Sequence, residues 1–115
     1  SAEDIKQNVA EIANQTARSL DLDLSFQASD IIVFDEYVGE GYGELTQGTV
    51  DAIRLVAQGE GILMDPVYTG KAMSGLIGLV NDGYFDSDDL VVFLHTGGTP
   101  GLFHYGEELL EWWKP

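Results

Sequence analysis

Apolar residues recur at helical spacing along three stretches of the chain. Between Asp4 and Leu20, Ile5, Val9, Ile12 and Thr16 share one face, with Glu, Lys, Gln, Asn and Arg around them, which predicts a surface helix. A second helix is expected to start near Thr46, to turn Val50, Ile53 and Val56 or Ala57 inward, and to stop at Gly59. In the third, Met73, Leu76, Ile77 and Val80 repeat at i, i+3, i+4 and i+7 from Gly70 to about Asn81, with Thr69 as N-cap and Gly83 at the end. Pro66 excludes a helix just before it, and Pro100 suits the first turn of a short helix from Gly101 to about Tyr105. Between these lie two apolar runs. Ile31-Ile32-Val33-Phe34 predicts a short buried strand or extended connection, and Leu90-Val91-Val92-Phe93-Leu94 a fully buried strand. Gly39, Gly41 and Gly43 mark a loop. Helices alternating with apolar strands predict an α/β fold. Tyr68 and Thr69 then stand at a helix mouth and Thr96 at the C-terminal end of a strand, where open sheets bind ligands, so both segments are expected to face one crevice.

Composition narrows the partners. Twenty acidic residues against five basic ones give a net charge of −15, which argues against binding nucleic acid or an anionic membrane by electrostatics. Clusters such as Asp86-Ser87-Asp88-Asp89 fit a solvated surface. There is no cysteine for disulfide or thiolate chemistry, and no apolar run of membrane-spanning length or basic-then-apolar leader, so a cytoplasmic location is expected.

The chemistry-bearing residues collect in three motifs: DEYVGEGYG (Asp35 to Gly43), EGILMDPVYTGKAMSGL (Glu60 to Leu76) and HTGGTPGLFHY (His95 to Tyr105). In this order and spelling they resemble the C-terminal part of the pyridoxal-phosphate enzymes that include D-cysteine desulfhydrase and 1-aminocyclopropane-1-carboxylate deaminase, relatives of the tryptophan synthase β subunit. The resemblance runs over nearly the whole chain. It implies that residues 1–115 are a C-terminal fragment of the larger cofactor-binding domain, with helices on a mainly parallel sheet. The cofactor's lysine and the small domain would lie outside this chain, since Lys6, Lys71 and Lys114 do not match that lysine. The implied partners are a small amino-acid substrate and the remainder of the parent polypeptide, with a homodimer as the full-length enzyme; this chain alone is expected to be inactive.

By the same resemblance, Thr96 faces the pyridine nitrogen of pyridoxal 5'-phosphate, with Gly97 beside it and Thr69 also on the cofactor side. A hydroxyl can donate to an unprotonated nitrogen but cannot hold the ring as a pyridinium, a setting that suits prompt β-elimination. Tyr42 and Tyr68 match the tyrosines on the substrate side and are the expected catalytic residues, Tyr68 first. A phenol titrating near pH ~10 needs a cationic neighbour to act as a base at neutral pH, though it can still orient substrate. In the cyclopropane deaminases the residue after the second tyrosine is typically glutamate and the HTGG threonine typically leucine; Thr69 and Thr96 here point instead to D-cysteine desulfhydrase, which yields pyruvate, hydrogen sulfide and ammonia. A deaminase and an L-cysteate sulfo-lyase are the alternatives within the family, and a non-catalytic fragment or binding module the one outside it.

Other residues have plainer readings. Lys71 is expected to be structural, His95 a packed strand-end histidine, and His95 and His104 lack metal-ligand spacing with a third donor. The adjacent pairs Asp35-Glu36 and Glu107-Glu108 point apart on regular structure. The Trp112-Trp113 tail is expected to pack on its own domain or a neighbouring subunit.

Overall fold

A computed structural model of the chain describes residues 1–113; Lys114 and the end of the tail lie outside the described residues. The chain divides into two compact units, Ser1–Asp35 and Glu36–Pro115.

The first unit is a helix with a returning segment. Helix α1 (Ala2–Ser19) is capped by Ser1. The amide of Asn14 donates to the Phe26 carbonyl and accepts from the Phe26 amide, both at 2.8 Å. One side chain thus satisfies both backbone groups of a residue that has no strand to pair with. A 3₁₀ turn follows at Ala28–Asp30. The expected covered face of α1 is not covered: Ile5, Val9 and Ile12 are exposed, and the buried residues are Ala10 and Ala17.

In the second unit, helix α2 (Gln47–Glu60) starts where Thr46 accepts from the Thr49 amide at 3.2 Å. It ends one turn-forming glycine later than the pattern suggested. Gly59 continues the helix, and Gly61, at φ 68°, adopts the left-handed conformation that stops it. Helix α3 (Thr69–Asn81) lies against α2, with Gly48 on Ser74 and Gly70 on Ile53, so the two run antiparallel where they touch. Short helices α4 (Gly101–His104) and α5 (Gly106–Trp112) follow; α5 was not foreseen. The core gathers Leu45, Val50, Ile53, Val56, Met64 and Leu109, with Trp113 among the side chains packed against it. Arg54 stands 5.7 Å over the Trp113 ring. Trp113 therefore packs on its own unit, as expected, while Trp112 is exposed.

The buried positions of α3 are Thr69, Gly70, Lys71 and Gly75, whereas its apolar stripe is only half-covered and Val80 is exposed. Glycine decides this. Tyr37 lies in the groove that Gly75 and Gly78 leave open, and a Cβ on Gly78 would come within 2.5 Å of the Tyr37 hydroxyl and 2.7 Å of its ring.

The expected sheet is absent: no described residue belongs to a strand. Leu90–Leu94 is extended, and its pleat shows in the exposures, 92% at Leu90, 83% at Val92 and 80% at Leu94, while Phe93 packs on the core. Ile31–Phe34 is likewise extended, with Ile32 exposed. A strand exists only through a ladder partner, and none lies beside either run. No helix among the described residues is long and apolar enough to cross a membrane.

A pair of substitutions checks the glycine groove. Gly59, with nothing near its Cβ position, should gain about 0.5–1 kcal/mol as Gly59→Ala. Gly78→Ala should lose about 1–2 kcal/mol despite the same helix propensity, because the Tyr37 ring must move. Denaturant midpoints of the two variants should fall on opposite sides of the parent chain.

Candidate functional site

The second motif is built around one carboxylate. Asp65 is 2% exposed. Its oxygens accept from the amides of Val67, Tyr68 and Thr69 at 2.8, 2.7 and 2.8 Å and from the Thr69 hydroxyl at 2.7 Å. The Asp65 amide donates to that hydroxyl at 2.9 Å, and the Gly70 amide donates to the Asp65 carbonyl at 2.7 Å. Asp65 therefore satisfies the first amides of α3, the task given to Thr69 by the sequence; Thr69 is instead the first residue of the helix. Burial works against the Asp65 charge, but the bonds from the Thr69 hydroxyl and from the Thr69, Tyr68 and Val67 amides outweigh it and hold the carboxyl below its ordinary range.

The same carboxylate carries the third motif. Gly98, at φ 88°, lies so close that a Cβ there would meet an Asp65 oxygen at 2.7 Å. Only glycine satisfies both the backbone angle and this approach. His95 fastens the loop from the other side: Gly97 N–H donates to its Nδ1 at 3.1 Å, which leaves Nε2–H to donate to the Leu63 carbonyl at 2.9 Å. His95 is thus a bridge between two segments, where the sequence suggested a packed histidine. Thr96, beside it, is exposed and its hydroxyl has no bond among the described residues. At Gly97, φ is 98° and nothing lies within 4 Å of a Cβ position.

Tyr42 and Tyr68 meet although 26 residues separate them. Their hydroxyls are 2.7 Å apart and their rings cross edge to face at 5.8 Å, both largely exposed. The hydrogen bond to Tyr42 raises the Tyr68 phenol above its ordinary value, with burial and the nearby Tyr42 and Asp65 groups adding to the shift. Tyr68 thus keeps its proton at neutral pH. The loop that presents Tyr42 is held by Lys71, whose Nζ donates to the carbonyls of Val38 at 2.6 Å and Gly41 at 3.0 Å. Lys71 is therefore structural, as expected.

Of the five site residues read from the sequence, Tyr42 and Tyr68 are brought into contact. Tyr68 and Thr69 are bonded to the carboxylate on which Gly98 rests, one residue beyond Gly97 and two beyond Thr96. Thr69 differs in character, because its hydroxyl is buried and engaged on both sides by Asp65. Asp65 itself was missed. An aspartate before Pro66 with a threonine four residues on is a local signal for such side-chain capping of backbone amides.

The residues fit the ring-nitrogen end of pyridoxal phosphate: a free hydroxyl at Thr96 beside a bare backbone at Gly97. Lys71, whose ammonium is engaged by two carbonyls, is not free to serve as its lysine.

A sequence profile described as pyridoxal-phosphate dependent enzyme matches residues 1–97. D-cysteine desulfhydrase from Klebsiella pneumoniae subsp. pneumoniae is 45% identical over 98 residues, covering 85% of this chain and 30% of that protein. 1-Aminocyclopropane-1-carboxylate deaminase from Methylobacterium nodulans is 43% identical over 101 residues, covering 88% and 30%. The crystal structure of an ACC deaminase homologue matches with a TM-score of 0.71 at 37% identity, covering 86% of this chain and 29% of that one. The chain thus spans about 30% of the length of the curated relatives it matches.

The Asp65 hub makes a stability prediction. Its carboxyl binds protons less readily folded than unfolded, so its contribution is fully present above the unfolded value, about 3.9, and is lost as pH falls through the lower folded value. Asp65→Asn, which turns an N–H toward the donors, should lower stability by about 2–3 kcal/mol at neutral pH. It should also flatten the loss of stability below about pH 4. Urea titrations at several pH values read both effects.

Proposed function

This chain belongs to the family of pyridoxal-phosphate-dependent enzymes, and we propose that it is the C-terminal part of a cytoplasmic lyase that performs β-elimination on D-cysteine, yielding pyruvate, hydrogen sulfide and ammonia. The observation that carries this reading is the Tyr42–Tyr68 hydroxyl pair, with Thr69 next in the chain to Tyr68 and Thr96 on the loop whose Gly98 rests on Asp65.

Pyridoxal phosphate, when bound, supplies an electron sink for the substrate's α-carbon. The chain's own residues do the rest. Thr96, whose hydroxyl is free, would hold the pyridine nitrogen by a hydrogen bond without charging the ring, and the open backbone at Gly97 would leave room for it. Tyr68 is the acid: as the carbon–sulfur bond breaks, the sulfur leaves with the bonding electrons and takes the Tyr68 proton. Its phenol carries a proton at neutral pH and its hydroxyl has no cation beside it, so it is placed to give a hydrogen bond or proton to the leaving sulfur and not to act as a base. Tyr42 orients the Tyr68 hydroxyl and contacts the substrate. Thr69, locked to Asp65, sets the direction in which Tyr68 leaves the mouth of α3, and so acts on the cofactor side through its neighbour. The lysine and the small domain come from the remainder of the parent polypeptide, which works as a homodimer.

The relatives include D-cysteine desulfhydrases and 1-aminocyclopropane-1-carboxylate deaminases at nearly equal identity, so the choice of substrate rests on Thr69 and Thr96.

In the full-length enzyme, Tyr68→Phe should lower kcat on D-cysteine about 10²-fold or more while leaving the cofactor absorbance unchanged. Thr96→Ala should alter that absorbance. Pyruvate release and a visible spectrum measure both, and ammonia from 1-aminocyclopropane-1-carboxylate in place of D-cysteine would overturn the substrate assignment.

A further inference from the structure

Lys71 is 8% exposed, a burial that a lysine tolerates only when its ammonium is well bonded. Both of its hydrogen bonds go to carbonyls 30 or more residues away, Val38 and Gly41. Gly41 directly precedes Tyr42, and Lys71 lies in the first turn of α3, three residues after Tyr68. The loop between these carbonyls has no regular structure of its own, and Gly39 within it, at φ 77°, fits against Thr46 and Lys71 with no space for a Cβ. An ammonium with short bonds to two carbonyls ties the loop bearing one tyrosine to the first turn of the helix that follows the other, beside the Tyr37 ring packed farther along α3.

We propose that Lys71 is the positioning residue for the tyrosine pair: by gripping the Val38 and Gly41 carbonyls it sets the register in which the Tyr42 hydroxyl meets the Tyr68 hydroxyl. As a catalytic claim this rests on the acid role given to Tyr68 above, but its geometry can be tested separately.

Two effects of removing Lys71 have opposite signs. Loss of a nearby positive charge raises a phenol's pKa. Loss of the Tyr42–Tyr68 hydrogen bond lowers that of Tyr68, since this bond is what holds it up. In the full chain labelled with ¹³Cζ-tyrosine, an NMR pH titration of Lys71→Met should show Tyr68 moving down toward the ordinary phenol value, about 10. In a Tyr42→Phe background the same change should move it no further, because Lys71 acts through Tyr42. A Tyr68 titration that stays in place or rises in Lys71→Met overturns the proposal, and so does a fall of equal size in the Tyr42→Phe background. Should Lys71→Met fail to fold, Lys71→Gln, a shorter neutral side chain, is read by the same criteria. Absence of pyruvate formation by the full-length wild-type enzyme would overturn the lyase reading and leave this titration result standing.

Discussion

A single buried carboxylate holds the candidate site together. Taking a charge to 2% exposure is unfavourable by several kcal/mol unless donors replace the lost water. Asp65 has three amides and a hydroxyl in that role, all within 2.8 Å. Two of these, at Tyr68 and Thr69, are amides that the start of α3 would otherwise leave unpaired, so one group removes two penalties together, its own desolvation and part of the helix's orphan donors. Everything chemical in the second unit is then placed relative to it. Tyr68 leaves the chain between two amides that Asp65 holds or from one of them directly, and the HTGG loop closes on it through a glycine with no room for a side chain.

The local elements were largely legible in the sequence, and their surroundings were not. The spacing around Val50 and Ile53 and the terminus near Asn81 report short-range backbone preferences, which the chain carries wherever it packs. Gly59 shows the limit even there: a glycine may continue a helix, and only the positive φ of Gly61 distinguishes the true stop. The runs Ile31–Phe34 and Leu90–Leu94 have the composition of covered strands because apolar content records what a segment is suited to touch. The ladder partner is a separate piece of chain, and for a chain spanning about 30% of its relatives' length the partner cannot be read from the segment itself. Exposure alternates from Leu90 to Leu94 as it does along a strand, with no ladder partner among the described residues.

The site divides in the same way. The tyrosine pair and Thr96 came from motif resemblance, which transfers residue types without distances. Lys71 and His95 came only with coordinates, since their carbonyl partners lie some thirty residues away and follow no period. Asp65 lay between the two cases: its bonds are local, and the Asp-Pro-x-x-Thr spelling contains them, but Thr69 was the more conventional cap and took the assignment.

The surroundings of the Tyr68 hydroxyl narrow the chemistries that the residue types alone leave open. A tyrosine made into a base needs a cation at its hydroxyl. The nearest lysine in this motif, Lys71, directs its ammonium to two backbone carbonyls instead, and the Tyr68 hydroxyl meets another hydroxyl. A phenol in that setting keeps its proton at neutral pH and can present it as a hydrogen bond to negative charge that develops nearby. The arrangement therefore favours a step in which negative charge develops on the leaving group beside Tyr68. On the reading proposed above, an uncharged Thr96 hydroxyl would suit the same chemistry, because a hydroxyl partner cannot hold a ring nitrogen as a pyridinium, and a neutral ring is the weaker electron sink.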